Sequence, residues 1–396
     1  MDTSRNCQRH EGVELLSPAA FREAFSKTKN DTTHIVFEAG FSGYLDIIHP
    51  HHEELCSILI IEALRKLRCD LRRAKAGQRL RPNHVIDGVR KHQFAKCCTL
   101  LHRAGYVEIS DSMHLIRTAK PIPPKTSDEI ALYLTELYPG FKALTCLIQH
   151  TGKHLAEIWS NRTNGVRVIF GTPEGQKLAE QVYGSDCTSK AFHRLLEHFM
   201  KTLLDQIAVG LSSSRELRLL ELGAGTGGTT KWLAPLIKNL CPEDTVEYMF
   251  TDISGTMVSQ AQQSFGREYS FMSFTTHDIE TPPPRNLSQR QDIVIIVNAV
   301  HATSDIVQSL RNIRQFLRPE GGIVLMLEIM EQTCWADFIF GFFEGWWRFN
   351  DRRTHALASV SEWNEAFLEA GFSYVNWTEG NCRDSGFQKL FIASVR

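Results

Sequence analysis

The chain has 396 residues, 42% of them hydrophobic and 22% charged, with 44 Lys and Arg against 45 Asp and Glu. Such values exclude a disordered or fibrous chain, and a net charge of -1 gives no overall pull toward nucleic acid or an anionic membrane. No apolar run reaches the roughly 20 residues of a spanning helix, and the opening MDTSRNCQRHEGVE has no hydrophobic signal core. A soluble, cytoplasmic protein with no membrane partner is expected, built of about two or three domains. Its ten cysteines form no C-x-x-C pair, so they read as reduced, mostly buried thiols rather than a metal or redox centre.

In chain order, HPHHEE (49–54) invites a metal reading, but without a matching ligand set it reads as an exposed loop leading into a helix. No metal is expected. Leu55, Ile58, Leu59, Ala63, Leu64, Leu67 and Leu71 recur at helical spacing until Gly77 breaks the pattern. A second helix is predicted from Val85 to Ala104 with Gly105 as its C-cap, and YVEIS (106–110) as a short strand. Between Leu64 and Arg103, twelve Lys or Arg face only Asp70 and Asp87, a surplus of ten. Such a stretch is either a solvated face or a seat for an acidic partner. Amphipathic helix is expected over Ala143–Trp159 and Lys177–Ile207, so residues 1–207 read as a mostly helical region.

From Leu217 short apolar runs alternate with helical segments: LRLLEL (217–222), VEYMFTDI (246–253), FMSFTTHDI (271–279), DIVIIVNAV (292–300) and GGIVLMLEI (321–329). This is the pattern of βαβ units on a mainly parallel sheet. A helix SEWNEAFLEAGF (361–372), a strand SYVNWT and a strand QKLFIASV then close the chain. The loop between these strands is too short for a crossover, so the last strand is expected to run antiparallel.

The run LLELGAGTGGTT (219–230) joins the first strand to a helix expected to open at Gly227. Gly223, Gly225 and Gly227, with Ala224 between, allow a tight turn and close approach to a ligand. The absence of G-K-[ST] excludes a phosphate-gripping loop. Glu221 would repel a pyrophosphate yet suit a sulfonium or ammonium, and Asp252 ends the second strand where it can accept ribose hydroxyls, with Ile253 beside it. Asp278 and Ile279 end the third strand, placed for an adenine amino group and ring. Together these favour S-adenosylmethionine (SAM) over NAD; the alternative is that the carboxylates merely cap the following helices.

The fourth strand ends NAVHATSD (298–305) and the fifth LMLEIM (325–330). Neighbouring strands lie about 4.8 Å apart, so His301 and Glu328 are in reach of one hydrogen bond, and Asn298 lies beside the donor site. A carboxylate on one ring nitrogen fixes the tautomer and supports proton capture at the other. The alternative is a capping histidine and a glutamate paired with an arginine such as Arg348. Tyr183, Trp346 and Trp347 are candidates to line a substrate channel, or simply to pack.

DFIFGFFEGWWRFNDRRTHA (337–356) is an aromatic-rich insertion after the fifth strand. Together with ELGAGTGGTT, FTDIS, HDIE, NAVHAT, the LE of strand five, HA (355–356) and AGF..VNWTEG (370–380), it resembles the C-methyltransferase domains of fungal non-reducing polyketide synthases, with the citrinin type as one candidate. The resemblance covers about residue 165 to the end, and less distinctly the helical region as a lid. Arg352–Arg353 stands where that pattern leads one to expect Asp-Gly-Arg, so the resemblance gives Arg353 no role.

It implies an α/β, class I SAM-dependent methyltransferase: a helical lid (1–207) and a Rossmann-like core (208–396) with seven strands, the last antiparallel, and an insertion at 330–356. It further implies SAM as donor, S-adenosylhomocysteine (SAH) as product, and methylation of the α-carbon of a β-ketoacyl chain on the phosphopantetheine of an acyl carrier protein. His301 would be the base and Glu328 its orienter. The polar stretch after Met1 suggests an excised domain whose synthase neighbours are partners in cis. The basic stretch would meet the carrier, and charge reversal at Arg72 and Arg73 would probe that. Competing classes are an O-methyltransferase on a phenolic product, an RNA methyltransferase and an inactive SAM-binding scaffold.

Overall fold

The computed structural model describes residues 16–82, 86–110, 114–212, 216–242 and 244–395. Local sequence sets many helix ends. Pro18–Glu38 opens on Ser17, whose hydroxyl accepts from the Ala20 amide (3.2 Å), with proline where its missing N–H costs nothing. Reciprocal capping boxes start Ser127–Leu137 (Thr126 with Glu129) and Val360–Glu369 (Ser359 with Glu362).

The N-terminal helices include His49–Lys66 and Gly88–Arg103, beside three short antiparallel strands, β1 (Arg79–Leu80), β2 (Val107–Ile109) and β3 (Leu115–Arg117). The second helix starts at Gly88 rather than at Val85, which lies outside the described residues, and Gly105 beyond its end has φ +77°. The two long helices expected further on are each broken. Lys142–Lys153 gives way to Leu155–Trp159, and Pro173–Gly184 to Cys187–Ile207. At the second break Asp186 turns aside to accept from the Thr188 amide (3.1 Å) and the Leu144 amide (3.0 Å), which local periodicity does not reveal.

HPHHEE is not an exposed loop. Helix His49–Lys66 begins on it, and His52 is fully buried, its Nε2 3.0 Å from Thr145 Oγ1. The fold also brings one ligand atom each of His49, Glu53 and the distant Cys334 within 4.8 Å of one another. Glu53 is already paired with Arg103 at 3.0 Å. Burial, Arg103 and Arg383 push the His49 imidazole down to about 4, and the same positive surroundings disfavour a divalent cation. The described cysteines are all free thiols; Cys7 lies outside them.

Seven further strands form the main sheet: β4 (Leu217–Leu222), β5 (Val246–Asp252), β6 (Met272–Thr276), β7 (Ile293–Val297), β8 (Ile323–Ile329), β9 (Tyr374–Trp377) and β10 (Gln388–Ser394). Their order is β6-β5-β4-β7-β8-β10-β9, with β10 antiparallel to both neighbours as the short loop required. The order changes direction at β4, between β5 and β7, and ligands of open α/β sheets bind outside the carboxyl ends at such a point.

One apolar cluster runs from Leu16 to Ile392 and joins the N-terminal helices to one sheet face; a second, around Trp363, Phe367 and Phe391, fills the other face. Helix Cys187–Ile207, on the N-terminal side of the division expected at 207/208, packs on β8 and β10, so packing is continuous across that point. No helix among the described residues is long and apolar enough to cross a membrane.

Candidate active site

The glycine loop follows β4. Gly223, Gly225 and Gly227 all have positive φ (+65°, +54°, +75°), and a Cβ on Gly223 would stand 2.7 Å from the Ala299 side chain. Glycine is required there by both conformation and space. The following helix begins at Thr230, not at Gly227, because residues 225–229 stay in turns.

The loop lines a cavity of about 230 Å3, together with Glu221, Asn298 and, from the N-terminal helices, Phe170, Tyr183, Ser189 and His193. Glu221 does not present a free carboxylate. It is buried and accepts from the hydroxyls of Thr230 (2.7 Å) and Tyr248, and burial pushes its carboxyl up to about 7. The Asp252 carboxylate takes the Gly225 amide (2.9 Å) and the Ser254 amide (2.8 Å), which ties the loop to the end of β5.

Asp278 accepts from the Glu280 amide (2.9 Å), a local turn bond of the helix-capping kind. Ile279 is buried, its Cδ1 3.4 Å from the position a Gly223 Cβ would take. Ile253 is 68% exposed beside Asp252. These four residues frame the loop from outside the cavity lining.

A second cavity of about 270 Å3 adjoins the first and is mainly aromatic, with Phe340, Phe343, Trp335, Trp346, Phe387 and His301 in its wall. Phe170, Tyr183, Ser189 and Asn298 line both cavities. Asn298 marks the boundary between them. It has φ +50°, a strained region for a side-chain residue, and its Oδ1 is buried with no hydrogen-bond partner among the described residues. Its Nδ2 donates to Gln388 Oε1 (3.3 Å).

Register explains how His301 meets Glu328. Val297 pairs with Leu327, and the Asn298 amide donates to Leu327 O (2.8 Å), so the turn after β7 passes over residue 328 of β8. Glu328 is fully buried. Its Oε1 accepts from the amides of Val300 (3.0 Å) and His301 (3.3 Å), and its Oε2 lies 2.7 Å from His301 Nδ1. A carboxylate there requires the hydrogen on Nδ1 and leaves Nε2 as the basic nitrogen. Arg348, the arginine suggested as a partner for Glu328, pairs with Glu280 instead.

Arg353 has a place that sequence reasoning did not supply. It is 5% exposed and donates to the carbonyls of His301 (2.9 Å), Thr303 (2.8 Å) and Ala356 (3.1 Å), while Asp351 holds its Nε (2.9 Å). The guanidinium therefore clamps the turn that carries the histidine.

The two tryptophans separate. Trp346 stands edge-on to the His301 ring (5.6 Å between centroids), and its indole N–H donates to Asp337 Oδ1 (2.9 Å), which also accepts from His355 Nε2 (2.9 Å). Burial pushes the Asp337 carboxyl up, but His355 and Lys96 more than offset this and leave it below its ordinary value. Trp347 is outside the cavity: it stacks on His92 of helix Gly88–Arg103 and donates to Gly341 O (2.8 Å). Tyr183 lines both cavities, partly stacked with Phe340.

Phe170, Ser189, His193 and Gln388 are wall residues that carried no sequence signal; each is an ordinary residue of an amphipathic helix or strand. Burial pushes the His193 imidazole down to about 4, so it faces the first cavity neutral at physiological pH.

The fold and the two adjoining cavities define a class I SAM-dependent methyltransferase. Residues 26–113 match a family described as a methyltransferase helix-turn-helix domain, and residues 220–323 a methyltransferase domain. A non-reducing polyketide synthase of Aspergillus niger, azaA, is 39% identical over 383 residues, 96% of this chain. The 3-methylorcinaldehyde synthase tropA of Talaromyces stipitatus is 35% identical over 378 residues, 93% of this chain. The chain spans 14% of the length of these relatives.

Among solved structures, the citrinin polyketide synthase CMeT domain superposes with a TM-score of 0.91 at 34% identity, covering 97% of this chain and 99% of that one. The CurJ carbon methyltransferase does so at 0.79 and 25% identity, over 97% and 99%. The chain belongs to the C-methyltransferase domains of polyketide synthases.

Proposed function

We propose that this domain methylates the α-carbon of a β-ketoacyl thioester carried on the phosphopantetheine of an acyl carrier protein, with neighbouring synthase domains as partners in cis. In this reading residues 1–207 cover the site and 208–396 hold it. The glycine loop, Asn298 and His193 would hold SAM in the first cavity, framed by Asp252 and Asp278. The unpartnered Asn298 Oδ1 fits a bound polar ligand. When bound there, SAM supplies an electrophilic methyl group and departs as SAH.

The observation that carries the reading is the 2.7 Å bond between His301 and Glu328 on the wall of the cavity next to the donor site. His301 Nε2 takes the α-proton, and the C–H electron pair passes into an enolate shared by the two carbonyls. Glu328 holds Nδ1–H and stabilises the imidazolium, which later returns its proton to water. The enolate carbon would be the nucleophile toward that methyl carbon, whose bond to sulfur breaks with its electron pair left on the sulfide of SAH. A mainly aromatic wall with Trp346 beside the base would strengthen these electrostatic effects.

The test is transfer of a labelled methyl group from SAM to acetoacetyl thioester, with the product located by mass spectrometry and NMR. Label at the α-carbon supports the reading. Label on oxygen, or transfer only to a phenol or RNA, overturns it.

Gly223→Ala is a second expectation. The left-handed conformation costs an alanine about 1–2 kcal/mol, and its Cβ would push the loop from Ala299. SAM affinity measured by calorimetry is expected to fall about tenfold or more, since 1.4 kcal/mol is a factor of ten. Unchanged affinity would place the donor elsewhere.

Carrier docking on the basic stretch is part of the proposal, with one change of residue. Arg72 donates to the carbonyls of Pro123 and Lys125 and is structural. Arg73, Lys75, Arg79 and Arg81 are exposed and form the face that remains for an acidic partner.

A further inference from the structure

Glu328 holds one nitrogen of His301, but one hydrogen bond pins a point of the imidazole and not its plane. The plane is set by what packs on the ring, and Trp346 does so nearly at right angles (79°). The short turn Glu344–Trp347 that carries the indole lies against the histidine's own turn: a Cβ on Gly345 would stand 3.3 Å from Ala302 O. Whatever holds the indole therefore helps to hold the base, and small misplacements at a reacting centre cost rate steeply.

The indole is held by Asp337, on helix Cys334–Phe340. Asp337 Oδ1 accepts from Trp346 Nε1–H and from His355 Nε2–H, both at 2.9 Å. The backbone sets the polarity of this chain at its far end. The Leu357 amide donates to His355 Nδ1 (3.0 Å), which places the ring hydrogen on Nε2 and aims it at the carboxylate. The other oxygen, Oδ2, faces Lys96 Nζ of helix Gly88–Arg103 at 3.7 Å, where both residues line a small cavity of about 90 Å3. His355 and Lys96 keep the carboxyl ionised despite its burial, so the indole N–H meets a charged acceptor, the stronger class of hydrogen bond. Three stretches of the insertion, its first helix, the turn at 344–347 and its end at 355, thus meet on one carboxylate.

We propose that Asp337 is a positioning residue for the base, acting through the Trp346 indole N–H to fix the ring against which His301 packs. This rests on the function proposed above, with His301 taking the α-proton. The test is a double-mutant cycle on methyl transfer to acetoacetyl thioester, with Asp337→Leu and Asp337→Asn each made in wild type and in Trp346→Phe. Leucine has a similar shape and accepts nothing, asparagine keeps an oxygen for both N–H groups, and phenylalanine keeps a ring without the N–H. The cycle subtracts what Trp346→Phe does to the cavity on its own.

Asp337→Leu is expected to lower kcat about tenfold, the order of one hydrogen bond to a charged group, with SAM affinity unchanged. Asp337→Asn is expected to recover most of that loss. In Trp346→Phe, which has no N–H to hold, Asp337→Leu is expected to change kcat by less than about twofold, the limit of additive behaviour. If Asp337→Leu does not fold, Asp337→Ser, too short to reach the indole, replaces it in the same cycle with the same expectation. Equal losses in both backgrounds overturn the proposal, because Asp337 then acts by another route. So does a wild-type kcat in Asp337→Leu with only an earlier unfolding midpoint, the mark of a purely structural residue. A wild type that binds SAM and labels no α-carbon overturns the functional reading itself; an α-methylated product with an additive cycle overturns this inference alone.

Discussion

His301→Ala is expected to transfer methyl groups on the order of 10²–10⁴ times more slowly than the wild type, the usual contribution of a positioned base, while binding SAM with unchanged affinity. The prediction separates two roles because of where the ring lies. His301 is in the wall of the aromatic cavity and not in that of the loop cavity; Phe170, Tyr183, Ser189 and Asn298 are the residues that line both. Truncation leaves the glycine loop and its tie to Asp252 in place. It also leaves Glu328 two amide donors, those of residues 300 and 301, so the buried carboxylate is not stranded. A variant that loses SAM binding in proportion to its activity would make His301 part of the donor site.

Arg353→Ala is the largest stability effect expected. Its guanidinium is 5% exposed, satisfies three carbonyls and pairs with Asp351. Removing one partner of a buried pair typically costs about 3–5 kcal/mol, because the other charge is left uncompensated. Arg353→Lys is expected to recover only part, since one ammonium cannot reproduce the guanidinium fork. Denaturant unfolding followed by circular dichroism measures this. A loss below about 1 kcal/mol would show that the turn bearing His301 is held by Glu328 and its own backbone alone.

What the sequence revealed, and what it did not, follows from the range of the interactions involved. The strands were legible because five apolar runs separated by helical segments admit few arrangements, and the reversed last strand followed from a short loop. Glu328 and His301 were legible as a pair because each sits at a strand end and the strands are neighbours. The cofactor-loop glycines were legible because their conformation is a property of the residue itself.

What stayed hidden depends on contacts that sequence spacing cannot see. His52 is buried because Tyr44 and Thr145 meet it from other elements. Glu221 turns inward because Tyr248 and Thr230 offer hydroxyls beneath it. Trp347 faces helix Gly88–Arg103 because His92, more than 250 positions away in the sequence, stacks on it. Arg353 had no motif to mark it, since its ligands are backbone carbonyls, which every residue carries. The wall residues from helix Cys187–Ile207 were hidden for a related reason: any amphipathic helix has polar residues such as Ser189 and His193, and only tertiary placement aims them at a ligand.

The central claim is that His301 removes the α-proton, and the most direct measurement is deuterium exchange at the α-carbon of acetoacetyl thioester in D2O, with SAH bound so that no methyl group can be transferred. The wild type is expected to accelerate exchange above the uncatalysed rate, and His301→Ala to return it to that rate with SAH still bound. Exchange of equal rate in both proteins would contradict the assignment and place the base on another residue.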